Sequence, residues 1–133
     1  TMPATALDHV TIVTKDLQAS RDFYIGLLGL EEAAWRPNFD FDGAWFKLGL
    51  NAIVHLVVAD RAAGGGHTQP FDHFALKAEN VAATRAALSA AGLDYREQTP
   101  PKTNIFQIFV DDPDGVSVEL NFNSDYEKAT GTM

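Results

Sequence analysis

Short apolar runs separated by polar turns predict strands and helices in a definite order along the chain. The run "LDHVTIVT" (7–14) is rich in β-branched residues, which is typical of a strand. The next segment, "LQASRDFYIGLLG", places its apolar residues close to one helix face, with Asp16 as the N-cap and Gly29 as the end. Three short strands are expected after it, near 31–36, 44–48 and 52–59.

The same order of elements then starts again. The segment "DRAAGGGHTQP" (60–70) predicts a flexible linker because three consecutive glycines stand among small and polar residues. "FDHFALKA" (71–78) predicts a strand, and Asn80 caps a helix, "VAATRAALSAAG", that Gly92 ends. Strands are expected near 95–99, 105–110 and 116–122, the last one after the turn "DDPDG".

The two halves repeat with a constant offset. His9 and His73 lie 64 positions apart, and so do His55 and Glu119. The helix caps Asp16 and Asn80 keep the same offset. We therefore predict one domain, 1–133, made of two βαβββ modules. Its parts are module one at about 7–59, the linker 60–70, module two at about 71–122 and a tail at 123–133.

Composition and charge narrow the function classes. The 133 residues carry a net charge of −8 and no basic cluster, so a nucleic-acid partner is not expected. There is no cysteine, which leaves His, Asp and Glu as the possible metal ligands. The chain contains no apolar run of the roughly 20 residues that a membrane span needs, and no signal peptide is evident. A cytoplasmic protein without membrane association is expected.

Four polar residues stand inside apolar strand patterns: His9, His55, His73 and Glu119. A buried carboxylate is costly unless it is paired or bound to a cation. Each residue alone could be a hydrogen-bonded core or edge residue, but their common register favours one shared site. Imidazole and carboxylate together suit one divalent metal ion, namely Zn, Ni, Fe, Mn or Co.

Three segments, "LDHVTIVTKDLQASRDFYIGLLGLE", "FDHFALKA" and "DDPDGVSVELNF", resemble the vicinal oxygen chelate superfamily. This superfamily includes glyoxalase I, extradiol dioxygenases and bleomycin-resistance proteins, and the resemblance covers residues 7–122. It implies an α+β fold in which two tandem βαβββ modules form a curved mixed sheet around a metal-lined cleft. It also implies a homodimer, because members of the superfamily commonly pair their sheets.

The resemblance assigns metal ligands by position. The first-strand ligands fall on His9 and His73, and the last-strand ligand of the second module falls on Glu119. The fourth position, often Glu in glyoxalase I, is His55 here. Three neutral imidazoles and one carboxylate leave a divalent site at a formal charge of about +1. In a dioxygenase-like site two His and one Glu suffice, and His55 would then be a spare ligand or an acid–base group.

The resemblance favours a metal-dependent lyase or isomerase, similar to lactoylglutathione lyase, that stabilises an enediolate-type intermediate of a small hydrophobic substrate. Glu119 is the first candidate for the catalytic base and His55 is the second. An Fe(II) extradiol-type dioxygenase and a bleomycin-type drug-binding protein are the alternatives.

Candidate substrate contacts come from two patterns. Residues two or four positions from a ligand share its sheet face, which selects Thr11, Lys77 and Asn121. The aromatic loop "WRPNFDFDGAWF" (35–46) adds Phe41 and Trp45 as an apolar wall. The alternatives are core packing for the two aromatic residues and an exposed position for Lys77.

Overall fold

A computed structural model describes residues 6–59 and 73–133. The predicted linker 60–70, with His67, and the first two residues of the predicted strand 71–78 lie outside the described residues. The chain divides into two compact units, Thr1–Ala63 and Gly64–Met133, called unit 1 and unit 2 below. Each unit contains its own four-stranded mixed sheet.

Unit 1 has the predicted βαβββ order. Its strands are β1 (Val10–Thr14), β2 (Glu31–Glu32), β3 (Gly43–Leu48) and β4 (Asn51–Val58), and α1 (Leu17–Arg21) continues as a π-helical segment, Asp22–Leu27. The sheet order is β1-β4-β3-β2, with β1 parallel to β4 and the other pairs antiparallel. Asp16 caps α1 as predicted, because its carboxylate accepts a hydrogen bond from the N–H of Ala19.

Unit 2 repeats this arrangement. Its elements are β5 (His73–Lys77), α2 (Val81–Ala90), β6 (Arg96–Gln98), β7 (Ile105–Asp111), β8 (Ser117–Asn123) and α3 (Ser124–Thr130). The sheet order is β5-β8-β7-β6. Thr11 pairs with His55 in unit 1, and Ala75 pairs with Glu119 in unit 2, so the register repeats with the sequence offset. The α+β fold of two βαβββ modules is confirmed, while the metal-lined cleft stays a prediction.

One face of each sheet carries buried apolar residues that form the core. In β4 the alternating residues Val54 and Leu56 are buried, and in β8 Val118 and Leu120 are buried. Because side chains alternate across a strand, His55 and Glu119 point to the opposite face of their sheets. Among the described helices, none combines the length and the apolar composition that a membrane span requires.

Three element boundaries differ from the prediction. The strand expected over 31–36 ends at Glu32, because Arg36 turns back to the carbonyl of Ala33 and Pro37 has no N–H for a strand ladder. The first strand begins at Val10, which places His9 one residue before it. The predicted single α-helix after Asp16 is α-helical only to Arg21 and then continues with π-helical geometry.

The predicted tail 123–133 contains helix α3. Asn123 accepts a hydrogen bond from the N–H of Tyr126, and Gly131 ends the helix in the left-handed region. The sequence carries this signal as an Asn cap, acidic residues in the first turn and a closing glycine. The helix was not predicted because the segment has no long apolar run. Its contact with the rest of unit 2 is polar.

That polar contact is made by Glu127, which is fully buried. Its carboxylate accepts hydrogen bonds from the N–H groups of Asn80 and Val81, at 2.9 and 2.7 Å, and from the hydroxyl of Thr132 at 2.8 Å. The first N–H groups of a helix have no partner inside the helix, so Glu127 satisfies the start of α2 from another element. Burial alone raises the pKa of Glu127, but these hydrogen bonds outweigh it and lower the pKa below the ordinary 4.5.

The ionised form of Glu127 should make a pH-dependent contribution to stability. A lowered pKa in the folded protein gives stability that is present above pH 4.5 and is lost as the pH falls through the folded value. We expect Glu127→Gln to lower the free energy of unfolding at neutral pH by about 2 kcal/mol. Urea unfolding at several pH values should show the two proteins converging in acid.

The matched control is Glu97→Gln, which removes an exposed ion pair with Arg85. It should cost less than about 1 kcal/mol. A Glu127→Gln deficit that stays constant below pH 4.5 would mean that the carboxylate charge does not stabilise the start of α2.

Gly43 allows β3 to approach β4 closely. A Cβ atom at Gly43 would overlap the backbone carbonyl oxygen of Leu56 and would lie 3.1 Å from Nη2 of Arg36. A backbone oxygen in a sheet cannot move aside as a flexible side chain can. Glycine at this position therefore sets the distance between the strands that carry Trp45 and His55.

Gly43→Ala should destabilise unit 1 by about 1 to 3 kcal/mol because the added methyl group overpacks the strand pair. Thermal unfolding followed by tryptophan fluorescence measures this change, since Trp45 lies on β3. Gly26→Ala is the control, because a Cβ there meets nothing within 4 Å. Equal unfolding temperatures for the two variants would contradict the proposed close approach.

Candidate functional site

In unit 1 the first two predicted ligands lie together. The rings of His9 and His55 are stacked, with centroids 3.8 Å apart and planes inclined by 12°. Thr11 pairs with His55 across the parallel strands, and His9 is two residues before Thr11, so all three share one sheet face. Trp45 of β3 lies opposite His55 in the strand pair. Its ring stacks on the other side of the imidazole, with centroids 4.0 Å apart and planes inclined by 10°. The imidazole of His55 is thus held between two rings.

Hydrogen bonds fix the orientation of these imidazoles. Nδ1 of His9 lies 2.7 Å from a carboxylate oxygen of Asp8, and Nε2 of His55 lies 3.1 Å from the carbonyl oxygen of Ala52. Because a carbonyl only accepts, Nε2 of His55 carries the proton, and Nδ1 is the acceptor in the neutral ring.

The surroundings of His55 favour its neutral form. Burial lowers the pKa of His55 most, and the charges of His9 and Arg36 lower it further. The hydrogen bond with Ala52 and the charge of Asp8 act in the opposite direction without reversing the shift. A neutral imidazole is the form that binds a metal ion or accepts a proton.

The stacked pair is not arranged as two ligands of one ion. The lone pair of an imidazole nitrogen lies in the plane of its ring, and a zinc–nitrogen bond is about 2.0 to 2.1 Å long. Two nearly parallel rings 3.8 Å apart therefore cannot both direct a lone pair at the same ion. One of the two rings must rotate before His9 and His55 can share a metal.

In unit 2 the other two predicted ligands lie in direct contact. Nε2 of His73 lies 3.0 Å from Oε1 of Glu119, across the parallel pair β5 and β8. The side chain of Glu119 is 10% exposed and that of His73 is 36% exposed. Phe109 packs edge-on against the His73 ring, at 5.9 Å and 80°. A buried carboxylate needs such partners, and Glu119 has them within unit 2.

Gln107 is a site residue that the sequence analysis missed. Its amide nitrogen donates to Oε2 of Glu119 at 3.0 Å and to Oδ1 of Asn121 at 3.2 Å. It lies on β7 directly opposite Asn121. Its polar position in the alternating run "IFQIFV" is a signal, but the partner becomes clear only from the antiparallel register.

The predicted substrate contacts differ in their surroundings. Thr11 and Lys77 are exposed and Asn121 is half-buried. Lys77 and Asn121 line a groove of about 650 Å³ in unit 2, together with Asn104 and Tyr126. In the aromatic loop Phe41 is 43% exposed and Trp35 is 50% exposed, so neither is a core residue, whereas Phe46 is fully buried.

The structure therefore joins His9 with His55 and His73 with Glu119. Among residues 6–59 and 73–133, no three His, Asp or Glu side chains form a metal-ligating group. The single site with four ligands stays a prediction. The donor set itself suits a divalent transition metal, because such ions bind imidazole nitrogen and carboxylate oxygen.

Comparison with known proteins identifies relatives over most of the chain. The family model of the Glyoxalase/Bleomycin resistance protein/Dioxygenase superfamily matches residues 6–120. The chain is 27% identical to "Glyoxylase I 4" of Arabidopsis thaliana, over 87% of this chain and 70% of the relative. It is 29% identical to a "Probable lactoylglutathione lyase" of Vibrio parahaemolyticus, over 84% of this chain and 86% of the relative.

A solved structure agrees with these relatives. The glyoxalase family protein from Enterococcus faecalis superposes with a TM-score of 0.71 at 26% identity, covering 90% of this chain and 99% of that one. The repeated βαβββ topology, the two donor pairs and the matched family model lead to one conclusion. The chain belongs to the Glyoxalase/Bleomycin resistance protein/Dioxygenase superfamily.

Proposed function

We propose that this protein is a divalent-metal-dependent lyase or isomerase that acts on a small substrate through two adjacent oxygens. The observation that carries the proposal is the pair formed by His73 and the nearly buried Glu119. A carboxylate held beside an imidazole, with Gln107 on its second oxygen, is positioned to bind a cation or to move a proton. The glyoxalase and lactoylglutathione lyase names of two relatives support the same class of reaction.

Four residues would hold the metal in this proposal: His9, His55, His73 and Glu119. The ion would be Zn, Ni, Fe, Mn or Co, which accept mixed imidazole and carboxylate ligands. Such an ion, when bound, acts as a Lewis acid that stabilises negative charge developing on adjacent substrate oxygens. The homodimer and the cytoplasmic location belong to the same proposal.

Proton transfer would fall to Glu119 in the first place. Gln107 and His73 each engage one carboxylate oxygen, so the carboxylate is held in one orientation while lone pairs remain on both oxygens. His55 is the second candidate, because its Nδ1 is the acceptor of a ring whose pKa is lowered. The rings of His9 and Trp45 restrict its motion and exclude water from its faces.

Loss of one donor should sharply reduce metal binding. We expect His73→Ala to lower metal affinity by more than about 100-fold, which exceeds the usual effect of removing a residue that only supports a ligand. Elemental analysis per chain and chelator competition measure the change. His67→Ala is the control, since His67 is the one histidine outside the predicted ligand set.

Full metal occupancy in His73→Ala would contradict the shared site.

The activity test uses hemithioacetals formed from 2-oxoaldehydes and a thiol, with conversion to the thioester as the readout. Glu119→Gln should abolish that conversion. Iron as the bound metal, together with ring cleavage of catechols, would contradict the lyase and favour a dioxygenase.

Gln107 should act as a positioning residue for Glu119. Gln107→Leu removes the donor to Oε2 of Glu119, and we expect metal affinity to fall by about 10- to 100-fold. Gln98→Leu is the control. Gln98 lies opposite Gln107 in the β6 and β7 strand pair, but its side chain accepts a hydrogen bond from Arg96. Equal metal affinity for the two variants would show that Gln107 does not orient the carboxylate.

A further inference from the structure

A row of aromatic rings extends from the His9 and His55 pair into the loop before β3. Trp45 stacks on His55, and the ring centroids of Trp45 and Phe39 are 6.2 Å apart. Phe39 and Phe41 are stacked, with ring centroids 5.0 Å apart and planes inclined by 13°. We call His9, His55, Trp45, Phe39 and Phe41 the aromatic row. Phe39 is 39% exposed and Phe41 is 43% exposed. Adjoining exposed rings beside a polar site are typical of a binding surface.

Arg36 lies against the outer end of this row. Its guanidinium carbon is 5.0 Å from the ring centre of Phe39 and 5.5 Å from that of Phe41. Nη2 donates to the carbonyl oxygen of Phe41 at 3.1 Å and lies close to the space that Gly43 leaves open. The guanidinium is therefore held in one position before any ligand binds.

Within residues 6–59 and 73–133, the charge of Arg36 has no anionic partner. Arg21 donates two hydrogen bonds to the carboxylate of Glu32. Arg85 likewise donates two to the carboxylate of Glu97. Arg36 forms no ion pair with any residue in the described ranges, although Asp40 and Asp42 belong to its own loop. Its buried Nε has no hydrogen-bond partner in the part of the chain that the structure describes. A half-buried cation without an anion is costly, and a bound anion would offset that cost.

We infer that Arg36 and the exposed end of the aromatic row bind a flat aromatic ligand that carries a carboxylate. The ring of the ligand packs against the exposed side of the Phe39 and Phe41 stack, and its carboxylate accepts hydrogen bonds from the guanidinium of Arg36. Identifying this ligand with the substrate rests on the proposed function, because the row begins at two of its metal donors. The binding itself requires no metal.

The test uses two probes of equal shape, 2-naphthoate and the neutral 2-naphthamide. Isothermal titration of the full chain, freed of metal and kept in chelator, gives their dissociation constants. We expect 2-naphthoate to bind about tenfold or more tightly than the amide, because only the carboxylate carries a negative charge and can accept two parallel hydrogen bonds from the guanidinium. Arg36→Gln should remove this preference, and Phe39→Leu should weaken both probes.

Arg21→Gln is the matched control, since it removes an arginine of unit 1 that already has a carboxylate partner. It should retain the preference for the carboxylate. Arg36→Lys keeps the charge but loses the planar fork, so it should retain only part of the preference, and it replaces Arg36→Gln if that variant does not fold.

The result that overturns the inference is a wild-type protein that binds neither probe or binds both equally. A carboxylate preference that survives in Arg36→Gln overturns it as well. Metal titration of Arg36→Gln separates this inference from the proposed function, because the variant keeps all four proposed metal donors and should still take up one ion per chain. Probe binding in a wild-type chain that takes up no metal would support the aromatic carboxylate site and contradict the metal-dependent lyase.

Discussion

The candidate chemistry depends on the parallel pairing of the first and last strand of each unit. Two strands that are far apart in the chain lie side by side, so that Thr11 meets His55 and Ala75 meets Glu119. A slip of one residue would turn every side chain of β4 or β8 to the other face. The buried residues Val54, Leu56, Val118 and Leu120 prevent that slip. The hydrophobic core thereby fixes which polar atoms can act together.

Two buried glutamates illustrate different uses of a carboxylate. Glu127 receives two backbone N–H groups and a hydroxyl, and its pKa is lowered because each partner stabilises the ionised form. Glu119 receives one imidazole and one amide side chain, both of which can rotate away. A carboxylate held by backbone donors is suited to a permanent structural role. One held by side chains can exchange its partners for a metal or a substrate.

The sequence predicted the order of the elements because it follows local patterns and a repeated offset, while the role of the four polar residues as metal ligands stays a prediction. Strand alternation, the caps Asp16 and Asn80, and the matched positions of His55 and Glu119 are all visible in one dimension. Three features were not predicted. The stacking of His9, His55 and Trp45 depends on side-chain rotamers, and the role of Gln107 depends on the register of β7 against β8. Helix α3 packs through one buried charge, which leaves no apolar periodicity to detect.

The position of Trp45 in the stack has a consequence for studying how the protein unfolds. Both tryptophans, Trp35 and Trp45, belong to unit 1, whereas unit 2 contains none. Tryptophan emission therefore reports one half of the duplicated fold, whereas far-ultraviolet circular dichroism reports the helices and strands of both halves. Coincidence of the two signals during denaturation would mean that the duplicated halves unfold as one cooperative structure, and separation would mean that each half retains an independent stability.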